Sequence, residues 1–298
     1  MAEKLTKERE PEAAVTASEP EPEREADERG RAPADTYDRV WRTGLLNIAA
    51  IARRELGTYF VSPLGWIVAS FLILIVSLLG YVGGVVLQQQ ATLDNVMSLM
   101  PLLMVFLVPL FTMRQLAEER RSGTLEVLLT SPVRDWELVI GKWLGTFIYY
   151  LALIAFTLVY LLLIFTYFPS KTTLRPLGLA FDVATLDYGQ ILTSYIGLIL
   201  MGAMFAAIGI LTSSLTQNQI VAAITAIGIL LIIWYSFSFI ALFQPAVIGS
   251  FLEYVSGSTR STGFTRGQIA LSDIVYFLTV TVGALFVTVR VIESRRWR

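Results

Sequence analysis

Six apolar runs, at about residues 64–87, 95–113, 138–166, 191–212, 219–243 and 271–292, constrain this chain more than anything else in it. Each is long enough to cross roughly 30 Å of hydrocarbon at about 1.5 Å per helical residue. A backbone surrounded by lipid must satisfy its own hydrogen bonds, so runs of this length predict helices. The expected fold class is all-α, a polytopic membrane protein with six transmembrane helices. Composition agrees, with 55% hydrophobic and only 16% charged residues and a mean hydropathy of +0.63. The cores of the runs carry no Asp, Glu, Lys or Arg, so no pathway of fixed charge is visible across the membrane. The second run contains Pro101 and Pro109, which leaves two readings: a kinked span or a re-entrant pair.

The charge is concentrated elsewhere. Positions 1–42 hold 12 of the 24 acidic and 8 of the 23 basic residues, leaving 15 Lys/Arg against 12 Asp/Glu in the remainder. Neither part has the basic footprint of a nucleic-acid binder. Residues 1–36 combine Glu, Arg, Pro and Ala with almost nothing to bury, which reads as a disordered acidic tail before a membrane domain at 37–298. Met1 to Arg42 also lacks the basic patch and apolar run of a signal peptide. From Tyr37 to Tyr59 the residues Trp41, Leu45, Ile48, Ala52, Leu56 and Tyr59 recur at steps of three or four, with Arg39, Arg42, Arg53 and Arg54 largely elsewhere. That pattern predicts an amphipathic N-terminal helix, lying in the cytoplasmic headgroup layer rather than in a soluble core.

Lys and Arg near the span ends set the orientation. With the N-terminus inside, the inner segments hold Arg53, Arg54, Arg114, Arg120, Arg121, Arg134, Lys142, Arg290, Arg295, Arg296 and Arg298, and the outer ones hold Lys171, Arg175, Arg260 and Arg266. This bias predicts that both termini and the 114–142 segment are cytoplasmic, with 167–190 and 244–270 outside.

The segment Arg114 to Lys142, RQLAEERRSGTLEVLLTSPVRDWELVIGK, is densely charged yet has apolar positions of its own. Leu125, Leu128 and Leu129 share one side of a short helix with Ser122 or Thr124 near its start. Gly123 allows a turn before it, and Ser131-Pro132 ends it. Two short helices joined by a glycine turn form a surface that another protein can grip. The spacing is equally compatible with a solvated loop in which Glu118, Glu119, Arg120 and Arg121 pair with each other.

The string LAEERRSGTLEVLLTSPV, followed by Trp136, Glu137, Leu138 and Gly141-Lys142, resembles the signature of ABC-2-type ABC-transporter permeases. TSYIGLILMGAMFAAIGILTSSLTQNQIVAA, from Thr193 to Ala223, is similar to the region of spans four and five in that family. The likeness is strongest to the branch associated with gliding motility and nitrous-oxide-reductase maturation, whose approach to the first span resembles YFVSPLGW, Tyr59 to Trp66. The resemblance covers roughly residues 47–295, and the acidic tail falls outside it. It implies the permease subunit of an exporter in a bacterial or archaeal plasma membrane. A second permease copy, usually making a homodimer, and cytoplasmic ABC ATP-binding subunits are the implied partners, with ATP and Mg held in the partner subunit and no cofactor in this chain. An exported auxiliary protein is a further implied partner. The segment after the second span would be the coupling helix. Its residues Glu118, Glu119, Arg120, Arg121, Gly123, Thr124, Leu125, Glu126, Leu128 and Leu129 would meet the ATPase, with the leucines as anchors and the charges fixing register.

The chain has no phosphate-cradling loop of the usual kind. Gly141-Lys142 is its one Gly-Lys pair, but a P-loop needs glycine where Trp136 stands and Ser or Thr where Trp143 stands. Absence of cysteine and histidine removes thiolate metal sites, Cys nucleophiles and the commonest general base. The rival classes are a membrane scaffold or channel component and a polytopic lipid-modifying enzyme. For the latter, Glu118, Glu119, Asp135 and Glu137 are the carboxylates available for Mg2+ at the inner face, interleaved with arginines that favour ion pairs.

Two further patterns concern packing. Gly197, Gly202, Ala203, Ala206, Ala207 and Gly209 in the fourth span, with Gly80, Gly83 and Gly84 in the first, permit close helix approach within one subunit or at a dimer seam. Met97, Met100 and Met104 share one face of span two, and Met201 and Met204 are similarly spaced on span four. Gap-filling in an apolar interior is the ordinary use of such methionines, and soft ligation of Cu(I) is the alternative.

Overall fold

The structure, a computed structural model, describes residues 34–87, 93–124, 133–167, 188–240 and 254–296. It is all-helical, with no strand among the described residues. Helix α1 spans Ala34–Val61, beginning slightly before the Tyr37 expected from its apolar spacing. Ser62 ends it and caps the next helix, α2 (Pro63–Ile75), by accepting a hydrogen bond from the Leu64 amide at 3.3 Å. Pro63 at the first helical position has no N–H to leave unpaired, so the Ser-Pro pair marks the start of the first span. The helix loosens to π geometry over Val76–Val86.

Helices α3 (Asp94–Thr112), α4 (Arg114–Arg121), α5 (Asp135–Tyr167), α6 (Tyr188–Leu215), α7 (Gln219–Ile240), α8 (Gly257–Thr265) and α9 (Leu271–Arg296) follow. Six helical stretches among the described residues are long and apolar enough to cross a membrane: Pro63–Val86, Asp94–Arg121, Asp135–Ile164, Tyr188–Leu215, Gln219–Ser236 and Leu271–Ser294. These match the six expected runs. Helix α3 continues through both prolines, which resolves the second run as a helix rather than a re-entrant pair. Proline at 101 and 109 frees the carbonyls of Met97 and Val105, and both residues are buried, so neither break faces lipid.

Helix α6 is the centre of the bundle. It packs against α3, α4, α5, α7, α8 and α9, and residues from Thr193 to Ser214 are buried over most of its length. Its small residues make this possible. Gly202 lies under the ring of Tyr150, whose hydroxyl donates to the Leu198 carbonyl at 2.8 Å, and Gly209 lies against Thr112 of α3. A Cβ at either position would collide with its neighbour. Gly197 receives Phe264 of α8, and Gly84 of the π segment receives Asn95. These glycines therefore serve packing within the subunit. All five methionines of the two spaced sets are buried in one apolar core with Phe111, Tyr150 and Phe205.

The sequence of segment 244–270, too long for a tight turn, leaves a re-entrant stretch and one lying along the outer surface both open. Its described part holds α8, with Phe264 buried and Trp234 of α7 against Gly257. Arg260 pairs with Asp273 at 2.8 Å and stands over the rings of Tyr254 and Tyr276, which fixes α8 to the start of α9. Helix α5 has 33 residues, about 50 Å at 1.5 Å per residue, and so extends beyond roughly 30 Å of hydrocarbon. Its first turns carry the contacts with α1 and α4.

Candidate functional site

Helix α4 lies where a coupling helix was expected. It leaves α3 at Met113, and Ser213 of α6 meets the backbone just past that junction. Its hydroxyl oxygen accepts from the amides of Leu116 and Ala117, at 3.1 and 3.0 Å, and donates to the Met113 carbonyl at 2.9 Å. Arg120 donates to the Ser214 carbonyl at 3.0 Å, so both ends of the short helix are tied to the end of α6. Leu116 is buried with Leu138, Val139, Ile210 and Ile292 in a small core beneath α4.

A charged cluster ties the same helix to α1 and α5. Lys142 is 1% exposed, and its Nζ donates at 2.7 Å to both Glu119 of α4 and Glu55 of α1. A lysine two turns into an apolar helix is tolerable only with such partners. Helix α1 approaches α5 closely enough for this because Gly141 and Gly145 present no side chain to it. A Cβ at Gly141 would come within 2.8 Å of Ile51, and one at Gly145 within 2.8 Å of Glu55. Tyr59 completes the join. Its ring stacks on Tyr149 at 4.6 Å, and its hydroxyl donates to the Phe111 carbonyl at 3.1 Å. Burial pushes its phenol well above the usual tyrosine range, so it remains a neutral hydrogen-bonding group. Glu137 secures the start of α5 by accepting from the Arg134 amide at 3.2 Å and from Asn47 of α1 at 3.0 Å.

The expected coupling residues are distributed as follows. Glu119 is turned inward to Lys142, and Arg120 is engaged with α6. Glu118 faces outward and pairs with Arg114 at 3.4 Å, and Arg121 is exposed. Gly123 has φ of 73°, the left-handed conformation that follows a helix end, and Thr124 beyond it is exposed and within 2.9 Å of the Ser122 hydroxyl. Leu125, Glu126, Leu128 and Leu129 lie outside the described residues. Of the four carboxylates weighed for Mg2+, Glu118, Glu119 and Glu137 have the partners above, and no three acidic side chains converge among the described residues.

Sequence reasoning missed Glu55, Gln115 and Ser213. Glu55 carried a signal: it is three residues from Ala52 and four from Tyr59, on the stripe that α1 buries. On that stripe Ile48, Ala52 and Tyr59 are buried against protein, whereas Leu45, assigned to it by spacing, is 65% exposed.

Six helices long and apolar enough to cross a membrane define a multi-pass helical membrane protein, with α1, α4, α5 and the end of α6 joined by polar contacts. A family described as ABC-2 family transporter protein matches residues 84–259, more than half of the chain, and the chain belongs to that family. The match includes spans two to five and all of α4. Among curated proteins none matches it.

Proposed function

We propose that this chain is the permease subunit of an ABC exporter, driven by ATP hydrolysed in a separate subunit seated on the face that carries α4. Two permease copies and two ATP-binding subunits form the working unit in the plasma membrane, with α4 and both termini cytoplasmic. Membership of the ABC-2 family supports the transport class. The motifs at Tyr59 to Trp66 and Thr193 to Ala223 favour the branch resembling gliding-motility and nitrous-oxide-reductase-maturation permeases.

The observation that carries the reading is the attachment of α4. A loop that merely connects two spans has no need of two serine-capped amides, a buried lysine bridge and a core of its own. A helix that must pass displacement into the bundle does, because force spreads only through contacts that do not yield. Movement of α4 is delivered to α6 through Ser213 and Arg120, and to α1 and α5 through Glu119 and Lys142. Leu125, Leu128 and Leu129 follow the Gly123 turn and are the anchors for the ATPase groove, with Glu118, Arg121 and Glu126 at the rim.

Burial of one leucine contributes roughly 1.5–3 kcal/mol and an exposed ion pair about 0–1 kcal/mol, so truncating anchors outweighs reversing one rim charge. The Leu128→Ala/Leu129→Ala variant, co-expressed with its ATP-binding subunit, is expected to insert and melt like wild type. It should lose co-purifying ATPase and cargo-stimulated hydrolysis. Normal recruitment and hydrolysis by an equally stable variant would move the docking surface to the 213–218 loop or to α1.

A further inference from the structure

A cavity of about 310 Å3 opens between α1, the first turn of α2, the end of α3, α4 and α5, a volume at the lower end of small-molecule sites. Its lining carries both signs of charge in equal number: Arg54, Arg114 and Lys142 against Glu55, Glu118 and Glu119. A simple anion or cation gains little from a lining with no net charge. A ligand that carries both charges can meet each in turn.

The charges are arranged by depth. Arg54, Arg114 and Glu118 are exposed at the mouth, whereas Lys142 is buried and Glu55 and Glu119 are largely so. The deep end is also short of hydrogen-bond donors. Gln115, which lines the cavity, is 5% exposed, and its Nε2 donates to Tyr59 and, at 2.8 Å, to Thr146. Those two hydroxyls give their own hydrogens to the carbonyls of Phe111 and Lys142, at 3.1 and 2.9 Å, which fixes the amide in this orientation. Gln115 Oε1 is left without a donor, and so is Glu119 Oε2. Buried acceptors in this state favour a ligand that enters with N–H groups foremost and its anionic part toward Arg54 and Arg114.

The cavity also lies at the right height for a membrane component. It is lined by Ser62, Leu64 and Gly65, where α1 passes into the first span, and Phe60, Val61, Trp66 and Ile67 around that junction are exposed on the outside of the bundle. Exposed aromatic and aliphatic side chains at a span end mark the headgroup layer. The geometry points to a phospholipid site: the cavity takes a phosphoethanolamine headgroup, ammonium toward Gln115 and Glu119 and phosphate toward Arg54 and Arg114, with the acyl chains remaining in the bilayer. A lipid held there is in contact with α1, α4 and α5 together.

Native mass spectrometry of the full-length permease in detergent, titrated with lipids of matched acyl chains, tests this. Phosphatidylethanolamine and its mono-, di- and trimethylated forms keep the phosphate while removing N–H donors one at a time. Affinity should fall along the series to about one tenth for phosphatidylcholine, the loss expected for one charge-assisted hydrogen bond. Arg54→Gln/Arg114→Gln, at exposed positions, should weaken all four lipids alike. Glu119→Gln and Gln115→Met should instead flatten the series, and the isosteric Glu119 variant reads this out even if Gln115→Met folds poorly. Equal binding of ethanolamine and choline lipids overturns the proposal, as does an Arg54/Arg114 variant that binds like wild type. Tighter binding of phosphatidylglycerol identifies a plain anion site and also overturns it. Saturation by soluble phosphoethanolamine, with no retained lipid, keeps the headgroup chemistry but overturns the membrane source.

Discussion

Replacing Lys142 by methionine removes the one positive charge between Glu55 and Glu119 while keeping an unbranched side chain one atom shorter. In the wild type each carboxylate accepts from Nζ at 2.7 Å, and their side chains are only 14% and 15% exposed. Without the ammonium, two acidic groups share a pocket with little water to screen them. Removing one partner of a buried ion pair costs about 3–5 kcal/mol, and the residual exposure of the two glutamates places this site near the lower figure. For a chain of this size about 1 kcal/mol moves the melting point by roughly 2–4 °C, so Lys142→Met should melt about 6–12 °C lower. The assay is the temperature at which the detergent-solubilised permease loses its monodisperse peak on size exclusion.

The control decides whether charge or packing is responsible. Replacing a whole buried ion cluster by neutral groups of similar volume is often close to neutral, because the desolvation cost of the charges disappears with their attraction. Lys142→Met/Glu55→Gln/Glu119→Gln should therefore recover most of the lost stability. A Lys142→Met protein that melts within 2 °C of wild type refutes the reasoning, roughly the effect of a surface substitution. So does a triple variant that melts no higher than the single one.

Other tests follow from the same structure. Since the chain has no native cysteine, a membrane-impermeant maleimide on intact cells should label Thr173→Cys and leave Ser122→Cys protected, and the reverse pattern would invert the proposed orientation. Ser213→Ala removes the hydroxyl acceptor that two amides of α4 share and should cost about 1–3 kcal/mol, seen as faster hydrogen exchange confined to α4 and not spread over the bundle. Met97/Met100/Met104→Leu should fold and melt within a few degrees of wild type, the cost of such swaps being under about 1.5 kcal/mol each, and should compete for Cu(I) no less well than wild type. A loss of Cu(I) uptake would make those thioethers ligands.

The spans were legible because crossing a membrane is a one-dimensional requirement. Length and the absence of charge decide it, and the ends of the six runs fall within a few residues of the helices found. Span two was ambiguous for a reason hydropathy cannot address: proline frees a carbonyl whether or not a neighbour covers it, and the cover for Met97 and Val105 comes from the surrounding bundle. The position of α4 and the turn at Gly123 were readable from local chemistry, a charged stretch ending at a residue that accepts positive φ.

The polar frame that holds α4 was much less readable, because its members are far apart in sequence. Lys142 lies 87 residues from Glu55 and 23 from Glu119, and Ser213 lies 97 from the Leu116 amide it serves. Counted as a basic residue near an inner span end, Lys142 looks like a topology marker. Only the approach of α1 over Gly141 and Gly145 shows why it is buried. Glu55 was the accessible clue, since a glutamate on the buried stripe of an amphipathic helix requires a cation from elsewhere. A headgroup-layer helix resting freely on lipid would turn that glutamate to water. A helix clamped to α5 can keep it, so the burial of Glu55 distinguishes a peripheral anchor from a helix packed into the bundle.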